Sequence, residues 1–165
     1  MSIIDSLIFD REQADVDAAA QLRQKVASHT ATPAEMTRWL NSDLKGTYNA
    51  SDLDRVERAV RYLDEELAAY GYAAGTIGRP EEWTKEDFPT ESDMQRYLKN
   101  LRALRNTLRV LATTPDIPAS MAFFGFAGAN DIEKMLFDID RLISWMLASF
   151  RHCGTFNSGM EGLRL

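Results

Sequence analysis

From residue 51 onward, apolar side chains recur in steps of three and four. After Ser51 come Leu53, Val56, Val60, Leu63, Leu67 and Tyr70. After Ser92 come Met94, Tyr97, Leu98, Leu101, Leu104, Leu108 and Leu111. After Asn130 come Ile132, Met135, Leu136, Ile139, Leu142, Ile143, Met146 and Phe150. Such spacing places each set on one face of a helix. It predicts three helices of about 20 residues, each about 30 Å long. A fourth and weaker helix is predicted over Asp10 to Ser28, where Val16, Ala19, Ala20 and Val26 face one way. Thr32-Pro33-Ala34-Glu35 reads as a capping box with proline at the first helical position, opening a short helix through Met36, Trp39 and Leu40.

A small motif marks the helix starts. It is a capping-type residue, an Asp, an apolar residue and then an acid or amide: Ser51-Asp52-Leu53-Asp54, Ser92-Asp93-Met94-Gln95 and Asn130-Asp131-Ile132-Glu133. Ala14-Asp15-Val16-Asp17 is a weaker copy. Ser or Asn would cap an orphan amide of the first turn, and Gln95 or Glu133 would reach back to the cap. The Asp would favour the positive end of the helix dipole. Asp15, Asp52, Asp93 and Asp131 are 37, 41 and 38 positions apart, a period near 40 that suggests repeated units over 10–45, 46–86, 87–125 and 126–165. Gly71, Thr113-Thr114-Pro115 and Gly154 would end the helices, and Arg79-Pro80 and Thr114-Pro115 open linkers.

The linkers carry Trp83, Phe88, Phe123, Phe124 and Phe126. These aromatics either cover the ends of the core or anchor a partner, and Met121 to Phe126 is the strongest anchor candidate. Charge is divided between helices. The 51–70 stretch is acid-rich, whereas 92–111 sets Arg96, Lys99, Arg102, Arg105 and Arg109 against Asp93. That basic face reads as solvated or paired with an acidic neighbour, with an anionic partner as the alternative. Nucleic acid is not expected, because 25 acids against 19 basic residues leave the chain at −6.

Composition fits one globular domain: 165 residues, 45% hydrophobic and 27% charged. The first residues lack a basic region and a long apolar run, so no secretory signal is read. The longest apolar stretches, Met121 to Ala129 and Leu142 to Phe150, are far below the ~18 residues of a membrane span. Candidate chemistry is sparse. One Cys forbids an internal disulfide, and two His, His29 and His152, with Cys153 cannot assemble a zinc site. His152-Cys153 reads as a frayed helix end or a buried thiol and not as a paired site, since adjacent helical side chains diverge by about 100°. No phosphate loop or hydrolase motif is present. Catalytic, metal-binding and cofactor-binding residues are therefore assigned to none, and a carboxylate site between helices would need a deep polar pocket.

Three phrases carry a resemblance: Phe9-Asp10-Arg11-Glu12-Gln13-Ala14-Asp15-Val16-Asp17, Tyr48-Asn49-Ala50-Ser51-Asp52-Leu53-Asp54-Arg55-Val56, and Trp83-Thr84-Lys85-Glu86-Asp87-Phe88-Pro89-Thr90-Glu91-Ser92-Asp93-Met94. Together they resemble a family of small tail-region proteins encoded in phages and prophages of gut Firmicutes. The resemblance spans about residues 9 to 158. It implies a non-enzymatic structural component of a tail or baseplate, located in the virion after assembly in the bacterial cytoplasm. Its partners would be other phage structural proteins and further copies of itself, and it brings no catalytic residues.

The expected fold is all-α. Four long amphipathic helices would pack as an antiparallel bundle, with a short HEAT-like solenoid as the alternative. Short strands pairing Ile3–Phe9 with the last residues are a further expectation. The expected function is structural, through interaction. The alternative is an intracellular adaptor or regulator using the basic face of residues 92–111.

Overall fold

A computed structural model describes residues 2–42, 44–78 and 82–153, with side chains to residue 149. The chain is all-α. After a 3₁₀ turn over Ile3–Ser6 come α1 (Gln13–Ala27), α2 (Pro33–Leu40), α3 (Ala50–Ala69), α4 (Glu91–Thr107) and α5 (Phe126–Cys153). The N-terminal segment is thus a 3₁₀ turn and not the expected strand, because Ser2 caps it and Asp5 returns a bond to the Ser2 amide. The proposed strand partner, like Arg79-Pro80 and Gly154, lies outside the described residues.

The helix starts fall two residues before the expected caps. Asn49, not Ser51, caps α3, and its amide donates to Asp52 Oδ2 at 2.9 Å. Thr90, not Ser92, caps α4; its hydroxyl accepts from the Asp93 amide at 3.2 Å while its own amide donates to Asp93 at 3.0 Å. Asp15 closes the same loop with the Glu12 amide. The recurring Asp is therefore the third helical residue of a capping box and itself makes the bond back to the cap; Gln95, expected to make it, instead donates to Glu91 at 3.0 Å. The fourth copy does not cap at all. α5 begins at Phe126, and Asn130 and Glu133 sit inside it facing other elements. α2 starts as expected, with Thr32 and Glu35 exchanging bonds. Leu108 ends α4 in extended backbone, so Leu108 and Leu111 belong to the following linker despite their helical spacing.

The three long helices run in the same direction, which corrects the expected antiparallel arrangement. The contacts of the linkers establish this. After α3, Ala74 and Thr76 donate to Asp64 at 2.6 and 2.9 Å, and further along the Trp83 amide donates to Asp54 at 2.7 Å. The linker thus travels back along α3 toward its start. Ile77, midway, exchanges two bonds with Asn100 of α4 at 3.0 and 2.7 Å. After α4, Arg105 donates to the Pro115 carbonyl at 3.1 Å, and Arg102 donates to those of Pro118 and Ala119 at 2.9 Å. This linker also returns. Phe124 at its end packs edge-on against Tyr48, 5.0 Å between centroids, just before α3. Links near 20 residues are long for hairpin turns. They have a reason here: an extended chain needs only about ten residues to retrace a 30 Å helix.

The shared core comes from the predicted stripes. Val56, Leu63, Leu67, Leu101, Leu104, Ile132, Met135, Leu136 and Ile139 are fully buried. Tyr70, expected to extend the stripe, is exposed, because Gly71 in the left-handed region (φ 83°) turns the chain out of α3. α1 packs on α2, and this hairpin stands beside the three-helix array.

Asp64 fixes the first return. Burial raises its carboxyl, but the Thr76 hydroxyl and the amides of Thr76, Ala74 and Gly75 outweigh that and hold it below its ordinary value. A depressed carboxyl stabilises the fold above its unfolded pKa, and that contribution is lost as pH falls through the folded value. Asp64→Ala is expected to cost about 1–2 kcal/mol and to speed amide exchange at Ala74 and Thr76. Unchanged exchange there would refute the role.

Candidate interaction surface

Because α3, α4 and α5 start at one end, the residues just before them gather there. A groove of about 580 Å³ opens at this end between α2, the start of α3 and the 83–89 turn. Trp39, Leu40, Leu44, Tyr48, Trp83 and Pro89 form much of its wall. The five linker aromatics divide around it. Trp83 is only 6% exposed and belongs to the core, so it lines the groove floor and does not project as an anchor. Phe124 is half-buried between Tyr48 and the first turn of α5, where a side chain on Gly128 would come within 2.9 Å of its ring. Phe126 is half-buried and helical, which corrects its placement in a linker. Phe88 and Phe123 are 89% and 106% exposed, and Leu40 on the groove wall is 61% exposed. Phe88 lies between Asp87 and Pro89, which both line the groove. Phe123 adjoins Phe124.

Phe123 adopts φ 57°, in the left-handed region. A Cβ there costs roughly 1–2 kcal/mol, and the exposed ring gains no burial within the chain. Phe123→Gly is therefore expected to raise the stability of the isolated chain by up to about 1 kcal/mol, after the entropy that glycine adds to the unfolded chain. Urea unfolding reads this directly, and a clear loss of stability would show that the ring is structural.

The expected basic face is largely committed to the fold. Arg96 pairs with Glu57 at 2.8 Å and also donates to the Ile77 carbonyl. Arg102 and Arg105 hold the second return linker, and Arg105 adds a 2.7 Å pair with Asp116. Lys99 and Arg109 are exposed.

A buried ionic cluster is the feature that sequence reading missed. Arg11, just ahead of α1, donates to Asp52 at 2.9 Å and to Glu133 at 2.8 Å. Arg55 reaches the same two carboxylates, with 2.8 and 2.9 Å bonds to Glu133. The Ile8 amide donates to Glu133 at 2.6 Å, and Asn130 exchanges bonds with the Arg11 backbone at 3.0 and 2.8 Å. Two guanidiniums against two carboxylates balance the charge, as buried ions require. The cluster locks the N-terminal segment to α3 and α5. Beside it, the Tyr48 and Tyr97 hydroxyls meet at 2.5 Å, and burial pushes both phenols above their ordinary range. Arg11 also lies 5.8 Å from the Tyr48 ring centroid. Buried Asp138 on α5 pairs with Lys134 and accepts from Thr114 at 3.1 Å, tying down the second linker.

Asp52 and Glu133 are thus bound by Arg11 and Arg55, whereas Glu57, Asp64 and Glu65 line a separate cleft of about 330 Å³ beside α3. Among the described residues no three His, Cys, Asp or Glu side chains are placed to hold a metal ion, and no helix is long and apolar enough to cross a membrane. His29 is exposed, at φ 57°; the side chains of His152 and Cys153 lie outside the description. No family model, curated protein or solved structure matches the chain.

Proposed function

We propose that this chain is a non-enzymatic structural component of a phage or prophage tail or baseplate, acting by interaction through the end where its three long helices begin. The observation that carries the interaction role is the exposure of Phe88, Phe123 and Leu40 around one aromatic groove. Exposed apolar patches of this kind mark docking surfaces. The resemblance of the Phe9–Asp17, Tyr48–Val56 and Trp83–Met94 phrases supplies the tail assignment. Its partners are then other tail proteins, and its location is the virion. The adaptor reading, which needs the basic face of α4 free, is less favoured because Arg96, Arg102 and Arg105 are engaged within the chain.

Mass spectrometry of purified particles from an induced lysogen tests the tail assignment. The protein is expected in particles at a fixed ratio to the major tail protein. Its recovery from host cytosol alone, never from particles, would overturn the assignment.

A further inference from the structure

We infer that the aromatic groove is filled by a second copy of this chain, in a two-fold contact that places Phe123 and Phe88 of each copy against the groove of the other. The inference rests on reading this end as an interaction surface and does not depend on the virion assignment.

Self-complementarity is the first argument. The same end carries both a concave aromatic wall, from Trp39, Tyr48 and Trp83, and two projecting rings. Both rings are next in the chain to residues at the groove: Phe88 sits between groove residues Asp87 and Pro89, and Phe123 directly precedes Phe124, which packs on Tyr48 of the groove wall. A patch holding both shapes side by side can meet its own copy across a two-fold axis, and that contact closes without leaving a free face. A knob on one end and a hole on the other would instead generate an open chain of copies.

Area is the second argument. A phenylalanine side chain buries roughly 150–250 Å². Exposures of 89% and 106% make Phe88 and Phe123 worth nearly two full rings per copy. Four rings across a two-fold contact would cover about 600–1,000 Å², and the grooves receiving them a comparable area. The total, about 1,200–2,000 Å², reaches the range of stable specific interfaces. Leu40, on the groove wall, adds to it. The third argument is the backbone of Phe123. Its left-handed φ of 57° is one that bulky side chains rarely adopt, and no contact of the exposed ring within the chain offsets it. A ring buried against a neighbour would.

Sedimentation velocity of the full chain, from low to high micromolar, tests this. The wild type is expected to shift from monomer to dimer and no further. Phe123→Asp is expected to raise the dimer dissociation constant by about 30-fold or more, with Phe88→Asp in the same direction and both retaining the wild-type circular dichroism. In a mixed sample of labelled and unlabelled chains, isotope-filtered contacts should join Phe123 of one copy to Trp39 or Trp83 of the other. A wild type that stays monomeric throughout would overturn the inference, including one that binds a different tail protein through Phe123. So would a dimer that ignores Phe123→Asp and lacks those contacts. Neither result would bear on whether the protein is found in particles.

Discussion

Glu133→Ala is expected to be the most damaging single substitution in the chain, costing about 3–5 kcal/mol. The Glu133 side chain is fully buried and accepts from Arg11, Arg55 and the Ile8 amide. Without it, two guanidiniums share Asp52 alone, and a net positive charge is left inside the protein. The Ile8 amide also loses its acceptor, although it is only partly buried, so water offsets some of that loss. Against a total stability of roughly 5–15 kcal/mol for a domain, such a loss leaves a marginal fold. Urea unfolding should show a large fall in midpoint. The cluster's geometry makes a sharper claim: removing charges in matched pairs should hurt less than removing one. Arg55→Met with Glu133→Leu keeps Arg11 opposite Asp52 and is expected to recover much of the loss. A double variant as unstable as the sum of the singles would show that Arg55 and Glu133 act separately.

That cluster also shows where the sequence stops being legible. The helices could be read because each stripe is a local, periodic pattern; Leu53 to Leu67, Tyr97 to Leu104 and Ile132 to Ile143 point inward as their spacing requires. The capping motif was legible in kind but not in register. Ser51 and Asn49 are both good caps, and only the backbone decides which residue lies outside the helix. Direction was not legible at all. A stripe is equally apolar whichever way its helix points, and the deciding contacts, such as Trp83 to Asp54 and Arg102 to Pro118, join a linker to a helix it has already left. The long links were the signal available, since a chain that only needs to turn has no use for 20 residues. Arg11 and Glu133 are 122 positions apart, and nothing local in either marks a partner. Glu133 did carry a hint, lying between Ile132 and Met135 on a helix whose buried face is otherwise apolar. Of the linker aromatics, Phe88 and Phe123 are exposed whereas Trp83 is buried in the core, a split that composition and spacing do not encode.

Gly46→Ala is expected to detach the α1–α2 hairpin from the three-helix array. A Cβ on Gly46 would lie 2.0 Å from the Asp15 carbonyl oxygen and 2.6 Å from the Val16 nitrogen. Both atoms are backbone at the start of α1, so no side chain can swing aside; the helix or the 44–47 turn must move. Overpacking of this kind costs about 3 kcal/mol, the upper end of its range, when the obstacle is main chain. The strain falls where the hairpin is least anchored. Its buried residues are Ala19 and Leu22, and α1 packs chiefly on α2. Besides Gly46, the hairpin's ties to the array include Lys45 pairing with Asp15 at 3.5 Å, the Lys85 bond to the Leu40 carbonyl, and at its two flanks the Asn49 bond to the Ser42 carbonyl at 3.2 Å and the Asn130 bonds to the Arg11 backbone. The exposed ion pair contributes little. The array, in contrast, keeps its Leu-rich core and its ionic cluster, neither of which involves the hairpin's own residues. Hydrogen exchange should therefore show the amides of 13–40 losing protection while those of 53–67 and 132–143 keep theirs, the behaviour of a separate cooperative unit. Uniform loss across all five helices would mean that the hairpin and the array fold as one, and wild-type protection in 13–40 would mean that the contact at Gly46 is relieved without cost. Because Trp39 and Leu40 of the hairpin form one wall of the aromatic groove, its release should also weaken the self-association that Phe123 directs.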